Sequence, residues 1–234
     1  MDASKVDRWR QAVRLWLLPS RCLVCGERGD NGHDLCGNCA DSLPWNRCAC
    51  ARCGVPLPIS AELCGACLRR PPPLDGVHAA LVYGFPLDRL VPRFKFHGDL
   101  AAGRLLARLM ADALPAAPRP QALVPVPLHP ARLRGRGYDQ ALELARPLAR
   151  QLRIPLLADG LRRVRDTAPQ SELDAGARRR NLRGAFAAGS GPLPAHVALV
   201  DDVMTTGATL HAAARALRRA GVARVEAWVC ARAP

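Results

Sequence analysis

Apolar side chains follow two rhythms along this chain. His196-Val-Ala-Leu-Val200 is a short unbroken apolar run, whereas the stretch from about Thr209 to Gly221 repeats its apolar positions every three or four residues. The first pattern predicts a strand covered on both faces, as in a parallel sheet, and the second an amphipathic helix. The same alternation holds upstream. Gly76–Phe85 reads as a strand or hairpin, Leu100–Leu114 as a helix, Ala122–Leu128 as a parallel strand and Tyr138–Leu152 as a helix. Ile154–Leu157 reads as a short strand, Leu161–Arg183 as a long Arg-rich loop with helical pieces, and Val222–Ala231 as a last strand. Strands alternating with helices predict an α/β fold with a mainly parallel sheet, whose sites lie at the carboxyl ends of the strands.

Composition adds constraints. Hydrophobic residues make up 49% of the 234, enough for a core, but aromatic residues are only 4%, so Ala and Leu must build it. The formal net charge is +14, carried almost wholly by Arg, with Lys only at Lys5 and Lys95. That balance favours anionic partners such as phosphates, nucleotides or nucleic acid, and a plain compositional bias toward Arg accounts for part of it. No stretch reaches the length needed to span a bilayer. The N-terminus places Val6, Trp9, Val13, Trp16 and Leu17 at helical spacing, interrupted by Arg8, Arg10 and Arg14 and ended by Pro19. A short amphipathic helix over 1–19 fits this better than a signal peptide, and points to a cytoplasmic protein.

Cysteine spacing defines the next module. Cys22-x2-Cys25, Cys36-x2-Cys39, Cys50-x2-Cys53 and Cys64-x2-Cys67 recur with ten residues between successive pairs. The first and third pairs run into Gly, while the second and fourth follow Leu and enclose a Gly, so the period is 28 residues. This predicts two consecutive Zn²⁺ ribbons over 20–70, one holding Cys22, Cys25, Cys36 and Cys39, the other Cys50, Cys53, Cys64 and Cys67. A cross-braced pairing of like with like is the other arrangement. Four thiolates close a structural tetrahedral site, and the bound metal can supply roughly 10–16 kcal/mol to a module too small to fold on its core alone. Cys48 falls outside the ladder and Cys230 lies in a late apolar strand. Arg69-Arg-Pro-Pro-Pro-Leu74 reads as a stiff linker before a domain over 74–234.

The candidate chemistry sits at Asp201-Asp-Val-Met-Thr-Thr-Gly-Ala-Thr209. Two carboxylates at a strand end precede a turn of small residues that opens a helix. Backbone N–H groups, Thr hydroxyls and the helix N-terminus can together cradle a phosphate, and the carboxylates can hold sugar hydroxyls or Mg²⁺ beside it. No Gly-Lys-Ser/Thr follows, so this is not a Walker loop. The segment resembles the signature loop of type I phosphoribosyltransferases, which binds phosphoribosyl pyrophosphate (PRPP). With the cysteine ladder, Lys95-Phe-His-Gly-Asp99, Val124-Pro-Val-Pro-Leu-His-Pro130, Arg136-Gly-Tyr-Asp-Gln140, Thr167-x2-Gln170, Arg178-x2-Asn181-Leu182 and Gly184-Ala-Phe186, the whole chain resembles the ComF family of competence and DNA-utilisation proteins. Asp139 departs from it, standing where that pattern has Asn.

The resemblance implies a type I phosphoribosyltransferase-like fold and assigns roles. Thr205, Thr206, Gly207, Ala208 and Thr209 would cradle the 5′-phosphate of PRPP, with Asp201 and Asp202 at the ribose hydroxyls, directly or through Mg²⁺. Pro127, Leu128, Arg132 and Arg136 would form the pyrophosphate loop. Arg165, Thr167, Gln170 and Arg178 would belong to a loop closing over the ligand, and Lys95 and His97 could reach the pocket. For each Arg the plain alternative is a solvated basic face. The implied chemistry is Mg²⁺-dependent displacement of pyrophosphate at the anomeric carbon, with a nucleobase as the typical acceptor. A protein that senses PRPP, or that binds single-stranded DNA or the DNA-uptake machinery without catalysis, is the second reading.

Overall fold

The computed structural model describes residues 20–30, 33–114, 119–165 and 184–234. Its centre is a parallel sheet of β1 (Gly76–Val82), β2 (Ala122–Pro125), β5 (His196–Met204) and β6 (Arg224–Arg232), in the order β1-β6-β5-β2. Leu156 extends it beyond β2 through a parallel bridge to Leu123, where a short strand is expected. The predicted α/β class with a mainly parallel sheet is therefore the observed one.

The apolar runs sort by the pleat. Val197 and Leu199 of β5 and Val225, Ala227 and Val229 of β6 enter one core; Ala198, Val200, Trp228 and Cys230 enter the other. Burial on both faces explains why these strands read as continuous apolar runs rather than alternating ones. Helix α7 (Ala208–Arg219) covers the first face with Ala213, Ala214 and Leu217. Helices α3 (Leu87–His97), α4 (Leu100–Ala113) and α6 (Gln140–Leu152) contribute to the second core. Small alanines let α7 lie close to the sheet, which suits a chain with few aromatic residues.

Several boundaries differ from the expectation. Strand β5 continues through both carboxylates to Met204, paired with Val229, Ala231 and Arg232 of β6. Within the stretch expected as a strand or hairpin, Gly76–Val82 forms a single parallel strand, and 83–86 are bend and turn. Residues Leu87–His97 form a helix that the sequence reading leaves out; Leu87, Leu90, Val91 and Phe94 are its buried stripe, and Pro92 within it obscures the period. Pro130–Arg136, expected as a Gly-broken loop, is helix α5: Pro130 suits a first turn, His129 Nδ1 accepts from Ala131 N, and Gly137 closes it. The start of the expected Arg-rich loop is strand β3 (Leu161–Arg163), antiparallel to β4 (Phe186–Ala188). Residues 166–183 and the N-terminal helix expected over 1–19 lie outside the described residues. Among the described residues no helix is long and apolar enough to cross a membrane.

The cysteine module is packed against the sheet rather than held away from it by the Pro-rich segment. Cys22, Leu35 and Leu43 share a core with α3 and α4, and Leu74 is fully buried. Along the edge of β1, Val77 N donates to Ala51 O (2.9 Å), Asn46 N to Ala80 O (3.0 Å) and Val82 N to Pro44 O (2.8 Å). The module therefore satisfies hydrogen-bonding groups that a bare edge strand would expose. The short helices α1 (Gly37–Asp41) and α2 (Gly65–Arg69) each begin at the second knuckle of a tetrad.

Candidate functional site

A cleft of about 550 Å³ opens at the carboxyl ends of β2 and β5. Asp201, Asp202, Thr205, Gly207, Ala208 and Thr209 form one wall, and Pro127, Leu128, Arg132 and Arg136 another. Two distant segments of the expected site thus meet in one cavity, because β2 and β5 are adjacent parallel strands and both chains leave the sheet at the same end. Thr206 does not line the cleft; its hydroxyl accepts from Ala208 N (3.4 Å) within the turn. Arg165 does not line it either, and Thr167, Gln170 and Arg178 lie outside the described residues.

The turn is built around Gly207, whose φ of +75° lies in the left-handed region. A Cβ there would stand 2.5 Å from Met204 Cε and 2.9 Å from His211 Nε2. Only Gly lets the chain turn this tightly from β5 into α7. The first turn of α7 begins at the cleft, which Ala208 and Thr209 line, and a helix N-terminus presents backbone N–H donors that suit an anion.

The acid pair is electrostatically loaded. Asp202 is 4% exposed, and Lys95 Nζ lies 2.8 Å from its Oδ2. Asp201 Oδ1 accepts from Asp202 N (2.9 Å), and Asp202 Oδ1 from Val203 N (2.7 Å). Burial, reinforced by the neighbouring Asp202, pushes the Asp201 carboxyl up to about 8. Burial alone would disfavour the Lys95 ammonium, but Asp202 outweighs it and holds the group above its ordinary value. The two adjacent carboxylates are oxygen donors of the kind a hard divalent ion takes, and Lys95 occupies one oxygen of Asp202.

Sequence reasoning missed part of the cleft. Phe96, Gln140, Arg163, Tyr83 and Met204 also line it. Phe96 stacks with the Arg136 guanidinium at 5.4 Å, and buried Gln140 donates to Lys95 O (3.4 Å). The buried stripe of α3 was the available signal, since it places Lys95 and Phe96 on a helix that reaches the cleft. His97 of the same helix is exposed and is not part of the lining. Asp139 acquires a structural role: Oδ1 caps α6 through Leu142 N (3.1 Å) and Oδ2 accepts from Leu128 N (2.8 Å). One carboxylate so fastens the segment after β2 to a helix start.

The cysteines gather into two tetrads, Cys22, Cys25, Cys36 and Cys39, and Cys50, Cys53, Cys64 and Cys67, with the sulfurs of each within 4.8 Å of one another. This is the consecutive arrangement, not the cross-braced one. Cys50 Sγ also accepts from Cys64 N (3.2 Å). Burial disfavours thiolates in both tetrads, yet backbone amides bring Cys22 down to about 6 and Cys50 to about 7, while Cys39 and Cys67 are pushed up. Four sulfurs this close can all be thiolate only around a cation, and the donor set fits Zn²⁺. Cys48 instead donates to Ile59 O (3.1 Å), and Cys230 is a buried core thiol.

Comparison with known proteins agrees with both halves. Residues 13–68 match the model of a double zinc ribbon domain, and residues 139–234 that of a phosphoribosyl transferase domain. The chain is 39% identical over 226 residues to competence protein F of Haemophilus influenzae, covering 91% of this chain and 97% of that one. It is 33% identical over 222 residues to the DNA utilization protein YhgH of Escherichia coli O157:H7, covering 92% and 98%. A region of 151 residues is 27% identical to competence protein ComFC of Streptococcus pneumoniae, covering 64% and 65%. With near-complete coverage, two cysteine tetrads and a transferase-type sheet, the chain belongs to the competence protein F family.

Proposed function

We propose that the cleft binds PRPP and, with Mg²⁺, catalyses displacement of pyrophosphate at the anomeric carbon. The observation that carries this reading is the convergence on one cavity of an acid pair, a Thr/Gly turn at a helix N-terminus, and the arginines of α5. The Thr205–Thr209 turn takes the 5′-phosphate, and Asp201 and Asp202 face the ribose hydroxyls. Arg132 and Arg136 balance the pyrophosphate charge in the forked manner that guanidinium allows. Asp201 and Asp202 would help hold Mg²⁺, which lowers the charge on the leaving group when bound. The C1–oxygen bond breaks with its electron pair going to pyrophosphate. An acceptor nitrogen then bonds to C1 and gives up its proton to solvent. By family resemblance Arg165, Thr167, Gln170 and Arg178 would add contacts to the ligand; the last three lie outside the described residues.

Titration of the protein with PRPP and Mg²⁺ by calorimetry, followed by pyrophosphate release with a panel of nucleobases, tests this. Binding and release are expected in the unaltered protein and neither in an Asp201→Asn/Asp202→Asn variant. Binding without release supports a second reading, a PRPP-responsive accessory factor in DNA uptake or utilisation. That reading is favoured by the names of the relatives and by the net charge of +14. It predicts affinity for single-stranded DNA that falls steeply with salt.

A further inference from the structure

Arg232 joins the second cysteine tetrad to the phosphate turn. It ends β6 beside Met204, the last residue of β5. Its Nε donates to the carbonyl of Cys53 (2.9 Å), and its Nη1 donates to the carbonyls of Met204 (3.3 Å) and Ala233. Ala233 N also donates to Met204 O (3.0 Å). Met204 immediately precedes Thr205, and its side chain lies next to Gly207, so Arg232 holds the backbone of a residue whose side chain packs against the turn.

The other end of the link is equally fixed. Cys53 contributes its sulfur to the tetrad and its carbonyl to Arg232. The next residue, Gly54, has a φ of +66° and lies flat on β1, where a Cβ would come 2.8 Å from Val77 Cγ1. Gly54 N donates to Cys50 O (2.8 Å), and Gly54 O accepts from Asn46 Nδ2 (2.9 Å). The direction of the Cys53 carbonyl is therefore set by a knuckle whose own geometry depends on four sulfurs sharing a cation. A partly buried guanidinium shared among three carbonyls, one on the tetrad and two beside the end of β5, is held only while its acceptors stay in place.

We propose that Arg232 is a positioning residue that transmits the metal state of the Cys50/Cys53/Cys64/Cys67 site to the phosphate turn. Filling the tetrad with Zn²⁺ orders the turn and tightens binding of a phosphorylated sugar; losing the metal loosens it. Because coupling is reciprocal, the ligand also slows extraction of the metal. The part that concerns ligand affinity rests on the PRPP reading, whereas the mechanical link does not.

Hydrogen–deuterium exchange on the full chain separates the two. Exchange across Val203–Thr209 is compared for zinc-loaded and chelator-stripped protein, with Val197–Val200 of the sheet core as the internal control. Stripping is expected to raise exchange of the turn about tenfold. Zinc-loaded Arg232→Gln should show the same rise, with little added by stripping, and Arg232→Lys should fall between. Calorimetric PRPP affinity should weaken in parallel. Unchanged exchange of the turn in zinc-loaded Arg232→Gln with an intact control, or losses from stripping and substitution that simply multiply, would overturn the coupling. If stripping also disrupts the control strand, zinc-loaded Arg232→Gln decides alone. If no form binds PRPP, the functional reading fails while the exchange result still decides the link.

Discussion

Single side chains in this protein carry opposite electrostatic signatures at the two ends of one sheet. At the carboxyl end, burial and Asp202 raise Asp201 to about 8. The folded state then binds a proton more tightly than the unfolded chain, so between the ordinary carboxyl range and about pH 8 this group lowers stability as pH rises. Asp201→Asn is accordingly expected to stabilise the protein at pH 8 by on the order of 1–2 kcal/mol in denaturant titrations, while abolishing PRPP binding. PRPP affinity in Mg²⁺ should rise with pH up to about 8 and then level off, because the ligand requires the carboxylate; calorimetry in buffers of different ionisation enthalpy would detect the released proton. At the amino end, burial works against Glu226, but His78 and Arg224 overcome it and draw it down to about 2. Arg224 Nη2 lies 2.6 Å from Oε1, and His78 and His196 flank Oε2 at 3.6 and 3.5 Å. Here the sign reverses: the stabilisation is complete above the ordinary Glu range and is lost as pH falls toward about 2. Glu226→Gln should reduce the acid sensitivity of thermal unfolding between pH 5 and 2.

At the scale of elements, function depends on how strands hand over to helices. The β5–α7 turn works because Gly207 supplies a left-handed residue above Met204. Gly207→Ala should cost about 1–3 kcal/mol of stability and disproportionately weaken PRPP binding, read by denaturation and titration of the same sample. The junction after β2 relies on Asp139, which serves Leu142 N and Leu128 N at once. An Asn offers one acceptor oxygen and turns an N–H₂ toward the other amide, so a carboxylate suits this pair of donors better. Asp139→Ala should lower stability by about 1–2 kcal/mol, with Asp139→Asn in between. The Lys95-Phe-His-Gly-Asp99 segment is likewise a junction. Lys95 meets Asp202, Gly98 ends α3, and Asp99 caps α4 through Ala102 N while holding Arg93.

For the whole molecule, the cysteine modules and the sheet form one packed unit. Arg93 Nη1 donates to Leu23 O (2.8 Å) in the first knuckle, and Arg218 joins Pro73 O and Asp75 below the second. Metal analysis should find two Zn²⁺ per chain. Chelation should lower the melting temperature of the complete protein rather than melt a separate small transition, because Cys22, Leu35 and Leu43 belong to the same core as α3 and α4. Two resolved calorimetric transitions in the loaded protein would contradict this.

The chain's own order of residues determined the local chemistry. Cysteine spacing marked two tetrads, whose consecutive pairing the structure decided, apolar runs marked β5 and β6, and Asp201–Thr209 stood out as an acid pair before a Thr/Gly turn, because each is a short-range pattern governed by knuckle geometry or by burial on both faces of a strand. Helix α3 was legible in principle from Leu87, Leu90, Val91 and Phe94, but Pro92 masked its period. What tertiary structure alone decided is which distant segments meet. Lys95 reaches Asp202 across more than a hundred residues, Asp139 ties down Leu128, and Arg232 reaches the Cys53 carbonyl. Those contacts depend on strand order and on the edge that the cysteine module covers. Neither leaves a trace in local periodicity, because both follow from how faces already buried in one element select their partners in another.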